Sequence, residues 1–233
     1  MSNLFTLLAL SLQGSILGLL VVAVRRRNVA AAVNAFGALV LAMLPIVLGI
    51  TSRILLERPL ALDPLLAVWL GVAGFLHSLG MLGLYDSTWW WDHLTHTVSA
   101  ALVAALLYAA LLAFPSLPEH TPFPRDVGSL TVTFTFVIGV FWELLELVAR
   151  DVADRLDVEP VLVHYGWDDT AIDLVFDLVG AIVVVALDVR VFGPIVEQFP
   201  ALTERVVVAS GWLVVFGSFA MAVFVVIGGL IRY

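Results

Sequence analysis

Long apolar segments separated by short polar ones make up most of this chain. Spanning the hydrocarbon of a bilayer takes about 20 apolar residues in a helix. Seven segments approach that length, namely 3–24, 29–51, 64–85, 92–114, 130–149, 169–190 and 206–229. The pattern predicts an all-α polytopic transmembrane bundle of six or seven spans, with seven preferred. We expect a single membrane-embedded domain over 1–233, with its polar motifs in a core at 85–187.

Composition strengthens the membrane assignment and narrows the chemistry. The 233 residues are 62% hydrophobic and 13% charged, whereas a soluble domain is nearer one half and one quarter. The chain has no cysteine and no lysine, which excludes disulfides, thiolate chemistry and lysine Schiff bases. A net charge of −8 argues against nucleic acid as a partner. The expected partners are membrane lipids and a lipid-like small molecule or a cation.

Arginines in the first short loop give the predicted orientation. Arg25, Arg26 and Arg27 follow the first apolar segment, and positive charge collects in cytoplasmic loops. With seven spans, the N-terminus is then outside a cytoplasmic (inner) membrane and the C-terminus inside. The proline-rich segment 114–128 is predicted to form an ordered turn on the outer side.

Ionisable residues occur inside the apolar segments in three pairs at helical spacing. The pairs are Asp92 with His96, Glu143 with Glu146, and Asp169 with Asp173. Residues three or four positions apart share one face of a helix. Span four begins, span five ends and span six begins at the same side of the membrane. All three pairs are therefore expected at a similar depth, facing the cytoplasm.

So many carboxylates in a low dielectric need a counter-charge, and a bound cation is the simplest one. Oxygen ligands favour Mg²⁺, Mn²⁺ or Ca²⁺, and a histidine extends the choice to Zn²⁺ or Fe. The expected cofactor is one divalent metal ion or two (Mg, Mn, Zn or Fe). The predicted metal ligands are Asp92, His96, Glu143, Glu146, Asp169 and Asp173. His93 and Asp168 are the candidate catalytic residues, placed beside the metal or at its entrance.

Structural roles are the alternatives for the same residues at the helix ends. An aspartate at a helix start is a preferred cap, which covers Asp92, Asp168 and Asp169. Glu146 has Arg150 four positions later, the spacing of a helical ion pair.

Residues deeper in the spans have a different alternative. Glu143, Asp173 and Asp177 lie too far inside for capping, so the alternative is a network of protonated carboxyls between helices. His77 stands alone in span three and is predicted to be a hydrogen-bonded packing residue rather than a ligand.

Three motifs in the polar core resemble those of a known family. They read WDHLTH at 91–96, WELLE at 142–146 and GWDDTAID at 166–173, followed by LVGA at 178–181. This set resembles the YjdF-like multi-pass inner-membrane proteins over about residues 85–187. The third motif departs from the family pattern, because Asp168 separates Trp167 from Asp169, so either aspartate is a candidate for the functional carboxylate. The resemblance implies a membrane bundle and no particular activity.

Three functions are compatible with this pattern. The first is a metal-dependent membrane hydrolase or transferase acting on a lipid or isoprenoid substrate. The second is a transporter or channel for divalent cations or protons, because intramembrane acids also mark ion pathways. The third is a non-catalytic membrane subunit. Few polar residues continue toward the outer side, which favours a closed, one-sided pocket and hence the enzyme.

Overall fold

Helices make up most of the part of the chain that the computed structural model describes, and that part contains no strand. That part comprises residues 2–55, 60–113, 126–158, 160–162 and 164–231. The elements in chain order are α1 (Ser2–Arg25), α2 (Val29–Leu55), α3 (Pro64–Leu79), a π-helical turn (Gly80–Leu84), α4 (Tyr85–Ser87), α5 (Trp91–Leu112), α6 (Val127–Leu156), α7 (Trp167–Ala186), α8 (Gly193–Val196) and α9 (Pro200–Ile231). The predicted all-α class is confirmed. Most of the proline-rich segment predicted as a turn, 114–125, lies outside the described residues.

Six helices within the described ranges are long and apolar enough to cross a membrane. They are α1, α2, α3 continued through α4, α5, α6 and α9. The chain is therefore a multi-pass membrane protein, as predicted. The remaining predicted span corresponds to α7, which has 20 residues but carries Asp168, Asp169, Asp173 and Asp177. Its length suits a span, but with four aspartates it is not among the helices that are apolar enough to cross a membrane. The orientation of the N-terminus stays a prediction.

The distribution of side chains agrees with a lipid environment. Large apolar residues such as Phe36, Ile54 and Phe219 are mostly exposed, whereas alanines dominate the buried hydrophobic positions. Small residues let helix backbones approach closely in membranes, where packing rather than water exclusion holds helices together.

Polar residues at the helix ends fix where two of the spans begin. Asp63 precedes α3 and accepts a hydrogen bond from the Leu65 backbone N–H at 2.8 Å. Asp126 does the same for α6 through the Ser129 backbone N–H at 2.7 Å. Each carboxylate satisfies one of the free N–H groups at the start of a helix.

The chain divides into two compact units, Met1–Thr95 and His96–Tyr233. In the first unit, α1, α2 and α3 pack against one another. Gly74 is required at one contact, because a Cβ there would lie 2.8 Å from the Ala38 Cβ. Both units consist of apolar helices, and the predicted single membrane domain stays a prediction.

His77 belongs to a hydrogen-bonded network inside the first unit, as the sequence predicted for it. Its Nε2 lies 2.9 Å from Asn34 Oδ1, and its Nδ1 is hydrogen-bonded to the Tyr85 hydroxyl. The amide of Asn34 is oriented by its own donation to the Ala30 carbonyl at 2.9 Å. His77 therefore carries its proton on Nε2 and accepts from Tyr85.

In the second unit, α6 packs against both α7 and α9. Near its N-terminal end, α5 meets α7 at Gly180, where a Cβ would lie 2.5 Å from the Thr97 carbonyl oxygen. Gly217 of α9 allows a similar close approach to α6, because a Cβ at this position would lie 2.7 Å from the Phe141 ring. The close approach at Gly180 places α5 beside α7, where His96 meets Asp177.

Candidate metal centre

His96 lies near the start of α5 and is oriented by an acidic partner on α7. Its Nδ1 is 3.1 Å from Asp177 Oδ1, and both side chains are buried. An ionised carboxylate can only accept a hydrogen bond. The proton of a neutral His96 ring is consequently on Nδ1, and Nε2 keeps its lone pair.

Glu143 of α6 is the most informative residue of the site. It is 6% exposed, and its Oε2 accepts a hydrogen bond from the Thr170 hydroxyl at 2.6 Å. Its Oε1 is buried and has no hydrogen-bond partner among the described residues. That oxygen lies 3.8 Å from His96 Nε2, which is too far for a hydrogen bond.

The separation between Glu143 Oε1 and His96 Nε2 suits two ligands of one metal ion. Ligands that each lie about 2.1 Å from one ion are roughly 3.0–4.2 Å apart, depending on the angle between them. The arrangement on His96 is also typical of metal sites. A ligating imidazole usually donates its other N–H to a carboxylate, which fixes the ring.

Asp173 completes this group from α7. It is 2% exposed, and one of its oxygens lies within 4.8 Å of a ring nitrogen of His96. Asp173 and Asp177 are also close enough to Glu143 to interact with its charge. Three helices thus bring together three of the predicted ligands, His96, Glu143 and Asp173, with Asp177 behind them.

A second group of potential ligands adjoins the first through Glu143. One ligand atom from each of Glu143, Glu146 and His164 lies within 4.8 Å of the others. Glu146 Oε1 accepts a hydrogen bond from Trp142 Nε1 at 2.8 Å. His164 Nε2 is buried and has no hydrogen-bond partner within the described ranges. Burial and the nearby Arg150 charge lower the pKa of His164 below its usual value, which favours the neutral ring.

A cavity of about 150 Å³ lies against Glu143 and His164. Its apolar lining includes Val140, Leu144, Leu147 and Leu174, and Thr170 adds a hydroxyl. Pockets for drug-sized ligands hold roughly 300–1,000 Å³, so this cavity is too small to enclose a molecule of that size.

Comparison with known proteins now adds the family. The sequence profile of a family described as "Predicted membrane protein (DUF2238)" matches residues 7–193. The chain belongs to this family. The match covers all three motifs and confirms the YjdF-like resemblance.

Two further comparisons set the limits of this relationship. An "Uncharacterized protein" from Thermotoga maritima is 26% identical over 110 residues, which is 46% of this chain and 52% of that protein. The chain thus spans about half the length of that relative. No solved structure matches the chain.

The other predicted metal ligands are placed around these groups. Asp92 lies one turn before His96 on α5. Its backbone oxygen accepts a hydrogen bond from the Thr95 hydroxyl at 2.7 Å. Asp169 is half-buried in the first turn of α7. Its negative charge favours the protonated form of His164. The metal-binding roles of Asp92 and Asp169 stay predictions.

The two predicted catalytic residues occupy different surroundings. His93 is buried in the first unit, and its ring meets Trp89 edge-on at 6.2 Å. Asp168 is exposed in the first turn of α7, where a negative charge suits the helix dipole. The cap position of α7 is Gly166, so Asp168 does not cap the helix. Neither catalytic role is tested by this geometry.

Sequence reasoning did not include two residues of this site, Asp177 and His164, among the predicted metal ligands or catalytic residues. Asp177 could have been added, because it continues the spacing of Asp169 and Asp173 by one further turn. His164 is harder to predict from the sequence. The one feature that points to it is its position three residues before Trp167, a residue of the third motif. Its closeness to Glu143 depends on how the preceding loop folds back.

Proposed function

We propose that this protein is a metal-dependent membrane enzyme acting on a lipid-like substrate. In this proposal His96 Nε2, Glu143 Oε1 and Asp173 hold a divalent ion, and Asp177 orients His96. The observation that carries it is the buried, unpartnered Glu143 oxygen 3.8 Å from the lone-pair nitrogen of His96. An ion between these two atoms would give Glu143 Oε1 the partner that it lacks among the described residues.

Electrostatics supports a cation at this position. Glu143, Asp173 and Asp177 are all buried, and each is at most 6% exposed. Removing a carboxylate from water costs several kcal/mol unless it is paired or coordinated. His96 alone cannot balance three carboxylates, whereas a divalent ion offsets most of their charge. A mixed imidazole and carboxylate set suits Zn²⁺, Mn²⁺ or Fe²⁺.

The adjoining cavity supports a catalytic role. A bound divalent ion can activate water or polarise a substrate oxygen. Three protein ligands leave coordination positions open for water or substrate, as in catalytic rather than structural metal sites. The apolar wall beside Glu143 would hold a short hydrocarbon portion of the substrate and keep its reacting end near the ion.

A cation or proton transporter is the second candidate. It is favoured by the buried aspartates Asp173 and Asp177, which follow one another down α7 by one turn. A transporter would show metal or proton flux in proteoliposomes, and an enzyme would not. A non-catalytic subunit, the third alternative, would bind metal and show neither flux nor turnover.

Metal analysis of the purified full-length protein tests the proposal. Wild type, Glu143→Gln and the control Glu204→Gln, which changes an exposed glutamate of α9, are each equilibrated with Mn²⁺, Zn²⁺ or Fe²⁺. We expect tight binding in wild type and control, and an affinity at least about tenfold lower in Glu143→Gln, the size expected when a site loses an essential interaction. Equal binding by Glu143→Gln, or none by wild type, would refute the site.

Turnover is tested separately from binding. Metal-loaded wild type and Glu143→Gln are incubated with a membrane lipid extract, and lipid species are compared by mass spectrometry. The enzyme proposal expects a metal-dependent change with wild type only. Metal binding without any lipid change would leave the site standing and remove the enzyme.

A further inference from the structure

We infer that Glu143 bridges to a second divalent ion, held by Glu146 and His164, so that the centre is dinuclear. This inference rests on the proposed function, because it adds a second ion beside the one between His96 and Glu143. The new element is His164, a loop residue to which the sequence motifs give no role.

Geometry is the first argument for a second ion. One atom each of Glu143, Glu146 and His164 lies within 4.8 Å of the other two. Three ligands at about 2.1–2.3 Å from one ion are roughly 3–4.6 Å apart. The three side chains therefore need little rearrangement to share an ion.

Unsatisfied buried atoms are the second, independent argument. His164 Nε2 and Glu143 Oε1 are both buried and lack a hydrogen-bond partner among the residues that the structure describes. Both residues line the same cavity of about 150 Å³. A water molecule occupies roughly 30 Å³ of liquid, so the cavity has room for an ion with bound water.

Glu143 has the position and the capacity of a bridging ligand. It belongs to both groups, facing His96 through Oε1 at 3.8 Å and sharing the second group with His164. An ionised carboxylate offers about four lone-pair sites, so its bond from the Thr170 hydroxyl leaves capacity for two ions. Ions bridged in this way are roughly 3.5–4 Å apart in two-metal sites.

Charge is the third argument. The two groups together hold four carboxylates, those of Glu143, Glu146, Asp173 and Asp177. Two divalent ions carry the matching charge of four. The positive charge of Arg150 is close enough to interact with His164. One arginine, however, offsets the charge of only one of these four carboxylates. A single divalent ion would therefore leave these carboxylates with excess negative charge.

Manganese binding by the full-length protein in detergent tests the inference. Wild type, His96→Ala, His164→Ala and Glu146→Gln are loaded with Mn²⁺ and freed of excess metal. Bound metal is then measured by elemental analysis and by electron paramagnetic resonance. Glu204→Gln is the control for loss of an exposed carboxylate, and circular dichroism checks that each variant is folded.

A dinuclear centre predicts two Mn²⁺ per wild-type chain with a spectrum of magnetically coupled ions. His164→Ala and Glu146→Gln should each keep one ion and show the six-line spectrum of isolated Mn²⁺. His96→Ala should also keep one ion, at the second position. Because Glu146→Gln changes the site more mildly than His164→Ala, agreement between them separates lost coordination from local unfolding.

The failures of the two proposals are distinguishable. One ion in wild type that is lost in His96→Ala and kept in His164→Ala overturns the second site and leaves the proposed function intact. One ion lost only in His164→Ala overturns the dinuclear centre and also the ion at His96. No bound ion in wild type overturns both.

Discussion

A methyl group added at Gly139 should weaken metal binding without unfolding the protein. Gly139 lies on α6 one turn before Glu143 and faces Asp177. A Cβ at this position would lie 2.3 Å from Asp177 Oδ2 and 3.2 Å from Leu174 Cδ2. Because the closer atom is the end of a side chain, the carboxylate can move and the helix backbone can stay.

The size of the effect follows from that displacement. An ordinary contact between carbon and oxygen is about 3.3 Å, so the Asp177 carboxylate must retreat by roughly 1 Å. Its hydrogen bond to His96 is 3.1 Å long and would be lost. Hydrogen bonds to charged groups contribute about 1.5–3 kcal/mol. Loss of the partner that orients a metal-binding histidine typically lowers metal affinity by about 10–100-fold, which is the same range of free energy.

The assay is competition for Mn²⁺ or Zn²⁺ against a chelating dye, with purified protein in detergent. The control is Gly211→Ala, because a Cβ at Gly211 would meet only the Phe134 ring, at 3.4 Å. A double-variant cycle adds specificity. If Gly139→Ala acts through Asp177, it should cost almost nothing in a chain that already carries Asp177→Ala.

The reasoning is refuted if Gly139→Ala binds metal within about twofold of wild type, since the expected loss is at least about tenfold. It is also refuted if the loss is equally large in the presence of Asp177→Ala. A comparable loss in Gly211→Ala would show that any added methyl disturbs the protein.

Two further predictions concern stability. Gly180→Ala should destabilise the second unit by about 1–3 kcal/mol, because its Cβ would lie 2.5 Å from the Thr97 carbonyl oxygen, a backbone atom that cannot rotate away. Gly14→Ala, with open space around it, is the matched control in unfolding followed by circular dichroism, and equal stability of the two variants would contradict this packing. Asp126 has a lowered pKa because the Ser129 backbone N–H binds its ionised form, so its stabilising effect is present at neutral pH and lost on acidification. Wild type should melt at a higher temperature than Asp126→Ala at pH 7. The difference should begin to shrink as the pH falls below about 4, the ordinary carboxylate pKa, and vanish once the folded-state carboxylate is protonated; a difference independent of pH would exclude this role.

Much of the architecture follows from local properties of the chain. Apolar length predicts the spans, and five of the seven predicted segments match α1, α2, α5, α6 and α9, which are long and apolar enough to cross a membrane. The segment at 64–85 corresponds to α3 with its continuation through a π-helical turn, where Gly83 has φ of 126°. Period and length cannot predict such a turn, because it depends on a single backbone conformation that glycine permits.

The same local rules predicted part of the candidate site. Residues at helical spacing share a face, and the order of spans places His96, Glu143 and Asp173 at one depth. The structure brings these three residues together. The same rules separated Asp168 and Asp169, in the first turn of α7, from Asp173 and Asp177, which lie deeper in the helix. In the structure Asp173 and Asp177 are buried and Asp168 is exposed.

What the sequence determined by itself is the class of protein and the set of polar positions, because hydropathy and helical period are properties of neighbouring residues. Only the tertiary structure decided which polar atoms meet. The His96–Asp177 bond joins positions 81 residues apart, and the Thr170–Glu143 bond joins positions 27 apart. These pairings depend on the rotation and closeness of packed helices, set by contacts such as Gly180 against α5. The position of His164 depends on a loop without any period, which is why its role became visible only in three dimensions.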